Sequence, residues 1–160
     1  GTVNKILTTD TSLLFVLVFG LPPMVHPDDA TRAVLSCFQL VDLFFRREIV
    51  SRFAVATGRS FCGICGSPRR MEYTVLGETV TIAQQLLLKV PEHSIMCDEG
   101  TSRQTTGEVH TVFLHTVDVK GRVPGTAKAI SVHLPMPKDK TKVHVGLTLD
   151  QRVRFPWYDR

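Results

Sequence analysis

Cysteine is scarce in this chain: Cys37, Cys62, Cys65 and Cys97 are the only four among 160 residues. That is too sparse for a secreted disulfide scaffold, so a reducing, intracellular setting is expected. Long hydrophobic runs are missing as well. The longest stretch, from Leu13 to Val25, is interrupted by Gly20, Pro22 and Pro23, which makes it too short and too broken to cross a bilayer. No signal-peptide pattern is present. Charge of one sign is also weak, since 19 Lys and Arg against 15 Asp and Glu leave a net +4. The cations are scattered, with no run longer than Arg46-Arg47 or Arg69-Arg70, and tracking a phosphate backbone needs them clustered. No nucleic-acid partner and no membrane segment are therefore expected. Internal repeats and low-complexity tracts are absent too.

Apolar residues, by contrast, make up 43% of the chain, enough for one domain with a substantial core. Two β-rich runs, Val3 to Leu7 and Leu13 to Phe19, flank a polar turn and predict a hairpin. Pro27 and Asp28-Asp29 open a helix in which Ala30, Ala33, Val34, Cys37, Val41 and Phe44 recur at steps of three and four. It ends near Arg46-Arg47, whose charge suits a helix C-terminus. Val50 to Thr57 reads as a strand. Phe61 to Cys65 and Tyr73 to Leu76 form a second hairpin around Gly66 to Arg70. A helix follows from Glu78 to Lys89, then a short strand from Ser94 to Cys97 and a weak helical turn within 99–108. Val112 to Val119 and Ala127 to Leu134 make a last hairpin around Gly121 to Gly125. This order predicts an α+β fold with helices on one face of a mainly antiparallel sheet. The absence of an initial Met and the immediate start of a strand suggest a piece of a longer polypeptide.

The stretch Glu72-Tyr73-Thr74-Val75-Leu76-Gly77-Glu78-Thr79-Val80-Thr81-Ile82-Ala83-Gln84-Gln85 resembles the strand-to-helix signature of class III nucleotidyl cyclases. The likeness extends to Val18-Phe19-Gly20-Leu21-Pro22, His26-Pro27-Asp28-Asp29, Ala56-Thr57-Gly58, Phe61-Cys62-Gly63-Ile64-Cys65-Gly66, Cys97-Asp98 and Val119-Lys120-Gly121. No tetrapeptide among these is specific, but the series in order and spacing is. It is most like the second cyclase domain of soluble-type adenylyl cyclase. The resemblance implies a ferredoxin-like cyclase-homology fold lacking its first strand and helices, with residues 1–134 as a partial domain and 135–160 as a C-terminal tail or linker. The diguanylate-cyclase turn Gly-Gly-(Asp/Glu)-Glu-Phe is not present.

Class III cyclases work as domain pairs with the active site between them. One half supplies an Asp pair holding two divalent metals, and the other supplies base contacts, an Asn and an Arg. The resemblance places Thr81 and Gln85 where that Asn and Arg stand. Thr81 lacks an amide donor, and Gln85 lacks the charge and planar fork that suit phosphate oxygens. One preorganised donor is typically worth about 10²–10³ in rate, and arginine-type charge stabilisation of phosphoryl transfer roughly 10³–10⁵. The resemblance therefore implies a cyclase-family (phosphorus-oxygen lyase) domain that is inactive by itself. A metal Asp would stand at Leu13, or at Asp10 if counted from Lys5, so no metal is expected on this chain. Mg²⁺ or Mn²⁺ with ATP would enter only if a partner domain supplied the Asp pair. Lys5, Thr74 and Arg122 match nucleotide-contacting places, although each also reads plainly as a strand or turn residue. The partner implied is another cyclase-homology domain, in the same or a different chain. The setting implied is a cytoplasmic or larger ciliary or flagellar assembly.

Other constellations have plainer explanations. Cys62-Gly63-Ile64-Cys65 lacks a second CxxC or a His pair and reads as a packed strand. Asp28-Asp29 fits helix N-terminal charge. The six His show no ligand spacing, although His115 and His133 are expected to face each other across the last hairpin. Phe155-Pro156-Trp157-Tyr158 is an apolar patch within the tail.

Overall fold

The computed structural model describes residues 1–105, 107, 109–120 and 127–138. Its elements run β1 (Thr2–Thr8), β2 (Leu13–Val18), α1 (Asp29–Arg46), β3 (Arg52–Val55), β4 (Phe61–Ser67), β5 (Arg70–Leu76), α2 (Glu78–Leu87), β6 (Ser94–Asp98), α3 (Glu99–Gln104), β7 (Val109–Lys120) and β8 (Ala127–Pro137). The weak helical turn expected after Cys97 is the short helix α3. β8 runs on to Pro137, past the expected strand end at Leu134. The turn between β7 and β8, Arg122 within it, and the Phe155 to Tyr158 segment lie outside the described residues.

Local chemistry sets these limits. Asp28 is the N-cap residue of α1, and Arg32 Nε donates to its Oδ1 at 2.9 Å. That hydrogen bond holds the Asp28 carboxyl below the usual carboxylate range. At the other end Arg46 pairs with the buried Asp42 one turn back, 3.0 Å away. Between them Ala30, Ala33, Val34, Cys37, Phe38 and Val41 form the buried stripe. The β4–β5 hairpin turns more tightly than expected, joining Ser67 to Arg70 across two residues. Gly66 there has φ +142, and a Cβ would run into the Arg70 carbonyl, so only glycine fits without strain.

β3, β6, β8 and β7 form one sheet in that order; β3 and β6 are parallel and the remaining pairs antiparallel. β1–β2 and β4–β5 are separate two-stranded ribbons. The α+β class with a mainly antiparallel, mixed sheet is as expected, but the helices do not share one face. Phe53, Val55, Ile95 and Cys97 pack with α1, whereas Ala54, Ala56 and Met96 pack with Ile82 and Leu86 of α2. Successive strand residues point to opposite faces, so α1 and α2 cover opposite sides of the sheet. All five residues of β6 are buried as a result. At the strand ends Asp98 caps α3: its Oδ1 accepts from Thr101 N at 2.8 Å and from Thr57 N at 3.2 Å. Thr57 and Thr101 hydroxyls share a further bond of 2.8 Å.

The ribbons are the opposite case. Val3, Ile6, Leu13 and Phe15 on β1–β2, and Phe61, Ile64, Met71 and Tyr73 on β4–β5, are each at least 45% exposed. Among the described residues no helix is long and apolar enough to cross a membrane.

Candidate functional site

β1 is irregular where its side chains matter. Val3 pairs with Leu17 and Lys5 with Val16, which makes Asn4 the extra residue of a bulge. Both Asn4 and Lys5 then reach β5. Asn4 Nδ2 donates to the Tyr73 carbonyl at 3.1 Å, and Lys5 Nζ donates to Glu72 Oε1 at 3.2 Å. Thr74 follows two residues after Glu72, on the same face of β5, and is only 3% exposed. Its Oγ1 is buried without a hydrogen-bond partner, as is Asn4 Oδ1. The structure thus sets Lys5 against Glu72 at a corner between β1 and β5, two residues along the strand from Thr74. Asn4 and Glu72 belong to that corner and were not anticipated. The one available signal was strand alternation, which puts Glu72 beside Thr74.

α2 leaves β5 through Gly77 and carries Thr81 and Gln85 one helical turn apart on one face, both half-buried. Thr81 Oγ1 donates back to the Gly77 carbonyl at 3.5 Å, a long bond within its own helix. Neither side chain carries a charge. Leu13 opens β2 at 61% exposed and offers no donor atom, while Asp10 sits in the loop between β1 and β2 rather than on the strand. The residues at this place do not fit a divalent cation. Among the described residues no group of three or more His, Cys, Asp and Glu is arranged to hold a metal ion.

Cys62 and Cys65 are free and half-buried on β4. Three residues apart on a strand, they leave opposite faces, so the pair cannot close on one metal ion or on itself. Cys37 and Cys97 lie in the α1 core, where burial pushes both thiols up to about 12. His115 and His133 do not face each other. A bulge after Phe113 sets His115 against Val132, and Phe113 meets His133 edge-on with ring centroids 5.7 Å apart.

No family model matches the chain. It is 35% identical to adenylate cyclase type 10 of Oryctolagus cuniculus over 103 residues, 63% of the chain; it spans about 6% of that protein's length. In fold it is similar to the guanylate cyclase domain of RhGC from Catenaria anguillulae, solved in complex with GTP. That TM-score is 0.64 at 18% identity, covering 84% of this chain and 72% of the other. It is also similar to the adenylyl cyclase CyaB from P. aeruginosa, with a TM-score of 0.61 at 18% identity over 80% and 68% of the two chains.

Proposed function

Because this chain has the fold of a class III nucleotidyl cyclase catalytic domain, and is related in sequence to soluble-type adenylyl cyclase, we propose that it is a second-half cyclase domain that has lost turnover. On this reading it acts as a pseudoenzyme, pairing with another cyclase-like domain in a structural or regulatory role in cyclic-nucleotide signalling. The partner belongs to the same or a different chain, in a cytoplasmic or ciliary assembly. What supports the reading is that α2 offers Thr81 and Gln85, both neutral, at the two positions that the sequence resemblance assigns to the family's Asn and Arg. Leu13 likewise brings no carboxylate, so any Mg²⁺ or Mn²⁺ and its ATP would depend on the partner's Asp pair. The exposed apolar ribbons support pairing, since patches of that kind are rarely left in water.

A second reading is favoured by the sequence identity to an adenylate cyclase and by the buried, unsatisfied Thr74 hydroxyl. It makes the chain a working half that converts ATP to cyclic AMP. The two readings part in one assay: the protein at its full native length, with ATP or GTP and Mn²⁺, beside the double variant Thr81→Asn/Gln85→Arg. The lost-turnover reading expects no cyclic nucleotide from the natural protein and measurable product from the variant. Robust product from the natural protein sinks it in favour of the working half.

A further inference from the structure

β7 closes one side of the four-stranded sheet, and among the described residues its only strand partner is β8. Exposed edges are commonly blunted by shortness, proline, lysine or a bulge. β7 is twelve residues long and holds no proline, and its one lysine, Lys120, is its last residue. A single bulge, between Phe113 and His115, is the device it has. Val112, Phe113 and Leu114 stand there in succession at 37%, 55% and 39% exposure. A long edge lined with apolar side chains is a template for one more strand. The opposite edge, β3, offers only four residues.

The sequence beyond β8 carries the pattern of such a strand. From Lys142 to Leu149, Val143, Val145, Leu147 and Leu149 alternate with Lys142, His144, Gly146 and Thr148. β8 delivers this segment to the required end of the edge, because Pro137 pairs with Val109, the first residue of β7. The five residue steps from Pro137 to Lys142 reach at most about 17 Å. Passing β7 takes two strand spacings, about 10 Å. We propose that residues 142–149 add to the free edge of β7 as a further strand of this sheet. β8 is antiparallel to β7, so a segment that turns back from β8 runs parallel to β7. Its four apolar residues continue the side of the sheet on which Val117 and Val119 pack with Ile82 and Leu86 of α2. The inference rests on this edge and on the sequence pattern, and not on the cyclase reading.

Amide exchange followed by NMR in the full 160-residue chain tests this, with circular dichroism melts confirming the fold of each variant. The β7 amides that point away from β8 are expected to exchange at least about tenfold more slowly in the natural chain than in Val145→Asp/Leu147→Asp. His144→Asp/Thr148→Asp places the same two charges on the polar side of the segment. It is expected to leave those amides within about twofold of the natural chain. Exchange in Val145→Asp/Leu147→Asp as slow as in the natural chain would overturn the proposal. Equal loss of protection in both variants would do so too, since charge alone would then explain it. Protection that deepens with protein concentration would put a second copy of the chain on the edge, and would overturn it as well.

Discussion

Cys37 and Cys97 show how single residues here are governed by burial. Both thiols are pushed up to about 12, mainly by desolvation, with the neighbouring Asp98 adding to the effect at Cys97. In the unfolded chain they would ionise near the ordinary value of about 8.5. Between these two values the folded chain binds more protons than the unfolded one. Their contribution to stability is therefore complete below about pH 8.5 and is lost as pH rises toward 12. The urea midpoint is expected to fall from about pH 8 to about pH 10, and to fall less in Cys97→Ala; a flat profile would contradict the burial. In the native chain a thiol reagent should label Cys62 and Cys65 first, and Cys37 and Cys97 only on unfolding. The same scale marks a limit of sequence reading. Thr81 and Gln85 were singled out only through the resemblance of their helix to the cyclase signature, and the Lys5–Glu72 pair joins residues 67 apart, a closeness that only folding creates.

Among elements, α3 is the most dependent on one side chain. Asp98 accepts from the first turn of α3 and from Thr57 just beyond β3, so one carboxylate ties a helix start to the segment leaving a strand. Asp98→Ala is expected to cost about 2 kcal/mol in urea unfolding, from a lost cap and an unsatisfied buried N–H. Asp98→Asn should recover part of this, because its amide oxygen still accepts; equal loss in both variants would show that the cap is not the cause. α1 was legible because its apolar residues recur at steps of three and four, and both ribbons because turn residues punctuate β-rich runs. The placement of the helices on opposite faces was not. Its trace lay in Phe53-Ala54-Val55-Ala56 and in Ile95-Met96-Cys97, which are apolar without alternation, as strands covered on both faces are. Such runs are too short for periodicity alone to separate a doubly covered strand from other buried segments.

Across the whole molecule, apolar surface is unevenly spent: the sheet is sealed by two helices while two ribbons face outward. Ile64 is 71% exposed and Met71 65%, so neither contributes much to the core. Ile64→Glu with Met71→Lys is expected to leave the unfolding free energy within about 0.5 kcal/mol per site. Pairing, read by sedimentation velocity with the partner domain present, should weaken by tenfold or more, or roughly 1.4 kcal/mol. Undiminished association would place the contact elsewhere. β6 is the internal counterpart of those ribbons. Ile95 and Cys97 belong to one core and Met96 to the other, although they are consecutive in the chain. Sliding β6 by a single residue along β3 and β8 would deliver every side chain to the wrong room. The strand is thus keyed from two sides at once: a substitution that loosens one core still leaves the other to hold the alignment, and misregistry requires both to fail together.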